Sequence, residues 1–190
     1  MVSLCYMSTA NFDWNTQYNN DRDYKWLSTG QLTRILNRTN TPNAARVLDI
    51  GCGTGQLCRD LVHRGFTVSG VDISSVAIEQ AKQSTILPSS TISFTVCDIE
   101  KDEIDTNKFD TIFCKYVLAF VANKDSFLQK VASLKTQKGV LVVISPNMEL
   151  LPDRKRNIAM KHQDVMDMLK KHFSNVSSEL VGGDYVYYAK

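Results

Sequence analysis

"VLDIGCGTG" runs from Val47 to Gly55 and decides how the rest of the chain is read. Strand formers surround Asp49, and Gly51, Gly53 and Gly55 then alternate with Cys52 and Thr54. Three of the nine glycines fall within these five positions. Glycine accepts positive φ and lets another group approach the backbone closely. The following "QLCRDLVHRG" sets Leu57, Leu61 and Val62 on one helical face and ends at Gly65, a natural C-cap. The stretch therefore reads as a strand, a tight turn and a helix. In open α/β sheets such turns lie at the carboxyl ends of strands, where ligands bind.

The same alternation continues in both directions. Apolar runs at Ala45–Ile50, Thr67–Ile73, Thr91–Cys97, Phe109–Tyr116 and Gly139–Ser145 are near-continuous, as expected of strands covered on both faces. Between them, "SSVAIEQAKQ" opens on capping serines, and "NKDSFLQKVASLK" gathers Phe127, Leu128, Val131 and Leu134. After a helix around Met160–His172, "SNVSSELV" and "DYVYYAK" flank Gly182-Gly183, which is a hairpin signal. The expected fold is α/β and doubly wound. Its sheet is mostly parallel with helices on both faces, and a C-terminal antiparallel hairpin completes it. With no repeat or linker, residues 1–190 read as a single domain, with 1–40 as an N-terminal helical lid segment.

Composition narrows the function. The chain has 190 residues, 43% hydrophobic and 22% charged, with a formal net charge of +2. That balance argues against nucleic acid as a partner and gives no footprint for an anionic membrane. Cys5, Cys52, Cys58, Cys97 and Cys114 form no CxxC pair and lie away from the histidines, so no metal site is expected. Unpaired cysteines in apolar runs suit a reducing, cytoplasmic compartment. No apolar stretch is long enough to span a bilayer, and "MVSLCYMSTANF" lacks the features of a signal peptide.

The glycine spacing is GxGxG rather than the GxGxxG of dinucleotide sites, with Gln56 where the third glycine would stand. Asp49 just before the turn disfavours phosphate and favours a cation. S-adenosylmethionine carries a sulfonium and an ammonium and no phosphate, so the electrostatics prefer it.

"VLDIGCGTG" followed by "GVDIS" resembles the cofactor-binding motifs of class I S-adenosylmethionine-dependent methyltransferases of the small-molecule type. The resemblance implies a seven-stranded Rossmann-like sheet with its last strand antiparallel. It implies that Asp49, Gly51, Cys52, Gly53 and Gly55 hold the methionine part of the cofactor. Asp72 would accept both ribose hydroxyls, with Ile73 beside the adenine. "CDIE" resembles the third-strand motif, in which Asp98 would accept from the adenine amino group and Ile99 would offer its backbone. The backbone near Cys114 and Lys115 would receive the ammonium, and Tyr18 is the expected lid residue. The implied reaction transfers methyl to a small-molecule O, N, S or C nucleophile, releasing S-adenosylhomocysteine.

Other features qualify that expectation. The fourth strand lacks an Asn- or Asp-Pro-Pro-aromatic motif, which argues against amino groups of bases or glutamine as acceptors. Phe120 stands where several relatives carry a histidine base. Lys115, Tyr116 and Asn147 are the polar groups expected at the strand ends to meet substrate, together with Tyr18. Lys115 or Tyr116 could act as the catalytic base only with a pKa well below about 10. The cysteines read as apolar fillers rather than nucleophiles. "DRKR" (Asp153–Arg156) reads as a solvated face, or as the border of an anionic substrate or RNA. "NFDWNTQYNNDRDYKW" has two readings: a helix packing Trp14, Tyr18 and Trp26 on the sheet, or the lid. Two alternatives stand beside the enzyme: a non-catalytic cofactor-binding module or partner subunit, and a nicotinamide-dependent oxidoreductase.

Overall fold

The computed structural model describes residues 13–20, 25–104 and 108–190. Cys5 and much of the expected lid segment lie outside the described residues. Seven strands form one sheet: β1 (Arg46–Ile50), β2 (Thr67–Asp72), β3 (Ile92–Val96), β4 (Phe109–Lys115), β5 (Lys135–Pro146), β6 (Val176–Val181) and β7 (Asp184–Ala189). Their order is β3-β2-β1-β4-β5-β7-β6. β1 through β5 pair in parallel, whereas β7 runs antiparallel to both β5 and β6. The expected hairpin turns at Gly182 and Gly183, both with positive φ. No helix among the described residues is long and apolar enough to cross a membrane.

Among the described residues six α-helices accompany the sheet: α1 (Trp14–Asn19), α2 (Thr29–Thr39), α3 (Gln56–Val62), α4 (Ser75–Gln83), α5 (Lys124–Leu134) and α6 (His162–His172). Successive strand residues point to opposite faces, so the central strands β1, β4 and β5 feed two cores, whereas β3 buries only Ile92 and Phe94 on one face. Val47, Val68, Phe113, Val142 and Val186 pack with Leu32 and Ile35 of α2, Leu57 and Leu61 of α3 and Ile78 of α4. Leu48, Ile50, Ile112, Leu141, Val143 and Tyr187 pack with Phe127, Leu128 and Val131 of α5 and Val165 and Leu169 of α6. This two-sided burial is what the unbroken apolar runs encode.

Three local differences have physical causes. β5 begins directly where α5 ends, and the β4–β5 register shifts between Phe109 and Thr111, so the strand starts earlier than its apolar run. Trp26 is 58% exposed, not buried against the sheet as the helix reading expects. α2 is a separate core helix started by a capping box, with Gln31 N–H bonding Ser28 Oγ and Ser28 N–H bonding Gln31 Oε1.

Topology fixes where chemistry can occur. The strand order reverses between β1 and β4, which opens a crevice beyond their carboxyl ends. Because β7 is antiparallel, its first residue, Asp184, pairs with Pro146 at the end of β5. The start of β7 therefore reaches the same edge of the sheet.

Candidate active site

Gly51 and Gly53 carry φ values of 69° and 53°, and each makes room for a neighbour. A Cβ on Gly51 would lie 2.2 Å from Val117 Cγ2, and one on Gly53 would lie 2.8 Å from the Tyr18 hydroxyl. Gly55 has a different role. Its Cβ would lie 2.6 Å from Phe94 Cζ, so it seats the start of α3 against β3 and does not line the crevice.

Beneath this turn, Asp49 is fully buried and also lies off the crevice wall. The Cys58 thiol donates to its Oδ2 at 3.3 Å, while Oδ1 has no hydrogen-bond partner among the described residues. Burial pushes its pKa up to about 7, opposed by the charge of Lys115 and the thiol bond.

Asp72, at the end of β2, holds the turn from the side. Gly53 N–H donates to its Oδ2 at 2.8 Å, and Ser74 N–H donates to its Oδ1 at 2.9 Å. Burial raises its pKa, and the two amide bonds oppose the rise. The bond to Gly53 was not foreseen: the expected ribose carboxylate is also what shapes the glycine loop. Ser74 caps α4 as the capping serines predict, its Oγ accepting from Ala77 N–H.

The crevice joins Gly51–Gly53, Asp72, Ile73, Asp98, Ile99, Lys115 and Tyr116 with Tyr18, so most expected site residues converge. Ile73 is half exposed, an apolar side chain left open on this wall. Asp98 is pushed up by partial burial, but Lys101 Nζ at 2.8 Å and the Glu100 amide outweigh that and hold it below the usual carboxylate range. Glu100, missed by sequence reasoning, accepts from Ala122 N–H at 2.9 Å and Asn123 N–H at 2.8 Å, tying the β3 end to the start of α5. Cys114 does not line the crevice. Its side chain is buried in the α5–α6 core, where burial pushes the thiol up to about 12.

α1 lies across the opening. Trp14 meets Phe120 edge-on at 4.8 Å, Asn15 Oδ1 accepts from the Ser74 hydroxyl at 2.7 Å, and the buried Tyr18 ring sits at Gly53.

A second, wider hollow of about 720 Å³ adjoins the crevice. Tyr116 and Phe120 line both. Asn147 is on its wall, though its Oδ1 also accepts from Glu149 N–H at 3.0 Å. Tyr116 adopts φ 60° and donates its hydroxyl to Asp184 Oδ2 at 2.7 Å. Lys25 Nζ donates to the same oxygen at 2.8 Å and to the Gly182 carbonyl at 2.9 Å.

The condition placed on Tyr116 as a base is not met. Burial and the Asp184 carboxylate push its pKa well above its ordinary value, so at neutral pH it is a donor. Lys115 Nζ donates to the Lys25 carbonyl at 3.1 Å. Sequence reasoning missed Asp184 and Lys25. Only the acid placed directly after the double glycine, at a strand start, hinted at the first.

A family model described as a methyltransferase domain matches residues 42–188. The ubiquinone biosynthesis O-methyltransferase of Glaesserella parasuis serovar 5 is 34% identical over 122 residues, covering 62% of this chain and 52% of that protein. The protein of the same description from Bradyrhizobium diazoefficiens is 34% identical over 115 residues, covering 60% and 45%. This chain spans about half the length of the curated relatives it matches. Among solved structures, a SAM-dependent methyltransferase from Aquifex aeolicus aligns with a TM-score of 0.73 at 17% identity, covering 94% of this chain and 98% of that one. A TehB-like SAM-dependent methyltransferase from Corynebacterium glutamicum aligns at 0.63 and 20% identity, covering 92% and 91%. These two likenesses are ones of fold.

Proposed function

The chain belongs to the methyltransferase-domain family, and on that premise we propose that it transfers methyl from S-adenosylmethionine to a small-molecule nucleophile. When bound, the cofactor would supply an electrophilic methyl on sulfur: the acceptor's lone pair would bond the methyl carbon as the C–S bond breaks, the electron pair would stay on sulfur as S-adenosylhomocysteine, and the acceptor's proton would pass to water. The protein's part is to hold, align and shield.

One observation carries this reading. Among the described residues, the crevice wall presents three carboxylates (Asp72, Asp98 and Glu100) and one ammonium, Lys115, beside the glycine turn. A pyrophosphate would meet mostly repulsion there, whereas a sulfonium and an ammonium meet attraction. The unpartnered Oδ1 of buried Asp49 lies beneath the same turn, where a bound cation would favour the ionised form of a carboxyl that burial holds near neutrality. The residues present thus fit the cofactor.

In this reading Asp72 accepts the ribose hydroxyls with the lone pairs left free by Gly53 and Ser74, and Ile73 flanks the adenine. Asp98 and Ile99 meet its edge. The Gly51–Gly53 backbone and the chain at Lys115 and Tyr116 hold the methionine part, and Tyr18 closes over it. The acceptor occupies the wider hollow and meets the methyl near Tyr116 and Phe120, with Asn147 as a further contact. The O-methyltransferase relatives favour an oxygen nucleophile. Four buried free thiols, Cys52, Cys58, Cys97 and Cys114, favour the cytoplasm.

Calorimetric titration with S-adenosylmethionine and S-adenosylhomocysteine tests the cofactor. Micromolar binding is expected, weakened at least tenfold in Ile73→Asp, whose half-exposed side chain leaves the fold intact. A folded parent chain that binds neither compound refutes the reading.

A further inference from the structure

We propose that the acceptor is a small oxyanion, a carboxylate or a phosphate ester, that also carries the nucleophilic O–H or N–H. The proposal rests on the methyl-transfer reading and assigns two groups of residues on the wall of the wider hollow.

Beside Tyr116 the wall offers an acceptor of hydrogen bonds. Asp184 is buried on this wall, and Tyr116 and Lys25 both donate to its Oδ2. Its Oδ1 bonds no donor among the described residues. It is also absent from the enclosed polar atoms that lack a partner, so it keeps some exposure and can accept a further bond. An acceptor O–H or N–H bonded there turns its lone pair toward the junction at Tyr116 and Phe120.

A second part of the wall is cationic. Arg154 and Lys155 line the hollow from the short helical turn Asp153–Ile158. Neighbouring charges are already engaged. Asp153 pairs with Arg156 at 3.2 Å, and Lys25 pairs with Asp184. Arg154 and Lys155 have no carboxylate partner among the described residues. A guanidinium beside an ammonium matches a carboxylate or phosphate, which the guanidinium takes in bidentate fashion. Leu150, Leu151 and Ile158 add apolar lining suited to a ring or short carbon body. The volume of about 720 Å³ suits a small molecule.

The test measures calorimetric binding of two matched pairs to the chain saturated with S-adenosylhomocysteine: 3,4-dihydroxybenzoate against its neutral methyl ester, and O-phosphoethanolamine against ethanolamine. In at least one pair the anionic member is expected to bind roughly tenfold or more tightly. That preference should vanish in the double variant Arg154→Ala/Lys155→Ala, while its affinity for S-adenosylhomocysteine stays unchanged. The arm that responds tells carboxylate from phosphate. No preference in either pair, including no binding at all, overturns the proposal, as does a preference that survives the double variant. A chain that fails to bind S-adenosylhomocysteine refutes the methyl-transfer reading instead.

Discussion

Asp49 sits under the glycine turn with one oxygen on the Cys58 thiol and the other unpartnered, and burial lifts its pKa from an ordinary 3.8 to about 7. The folded chain then keeps this proton up to about pH 7, while the unfolded chain releases it near 3.8. Between those values the folded state binds more protons, so stability is fully present below the unfolded pKa and is lost as pH rises through the folded one. The rise corresponds to on the order of 4 kcal/mol. Asp49→Asn, neutral at every pH, is therefore expected to be more stable than the parent at pH 8, with the gap closing by pH 4. Urea denaturation at the two pH values checks this; equal midpoints at pH 8 would mean that the buried carboxylate carries no such cost. At this scale the sequence was only partly legible. The spacing of Gly51, Gly53 and Gly55 announced a tight turn. Which glycine faces the crevice and which faces Phe94 depends on a strand much further along the chain. For the same reason Asp49 read as a crevice wall, when it lies beneath the turn.

Elements that bury an apolar face were legible one by one, whereas the N-terminal part was legible only as a helical segment, without its division into α1 and α2. Strands β1 to β5 and helices α3 to α6 each carry a run or a periodic stripe, and each forms close to where that pattern lies. α2 also left a signal, Ser28 three residues before Gln31, that composition alone passed over. α1 is six residues long, too short to stand alone in water. It is held by its Asp13 cap, by Asn15 on Ser74, by Trp14 on Phe120 and by Tyr18 over Gly53. Those contacts join it to the crevice rim more than to the core, so loosening them acts on the ligand more than on the fold. Trp14→Ala combined with Asn15→Ala is expected to weaken S-adenosylhomocysteine binding roughly tenfold, chiefly through faster release. The melting temperature of the free protein should move by no more than about 2 °C. Stopped-flow displacement gives the release rate. An unchanged rate would mean that α1 is not a strap over the ligand.

Across the whole molecule, parallel strands with one antiparallel return bring the ends of β1, β2 and β4 and the start of β7 to a single edge. The alternation of apolar runs and helical stripes was enough to read that architecture. The pairing of Lys25 and Tyr116 with Asp184 was not readable, because it joins residues up to 159 positions apart and has no local pattern. The crevice at this edge lies between the two cores and is walled by both: Ile50 and Val71 belong to the α5–α6 side, Cys52 to the other. A ligand seated there is bound only by the folded chain, so its binding energy adds to global stability. At a concentration about one hundred times its Kd, S-adenosylhomocysteine is expected to add about 2.7 kcal/mol. For a chain of this size that raises Tm by roughly 5–10 °C. NADH, whose pyrophosphate would face Asp72, Asp98 and Glu100, is expected to give no shift at equal concentration. A thermal melt with each compound separates the two cofactor classes: a rise with NADH and none with S-adenosylhomocysteine would reverse the reading of the crevice's charge and restore the dinucleotide alternative.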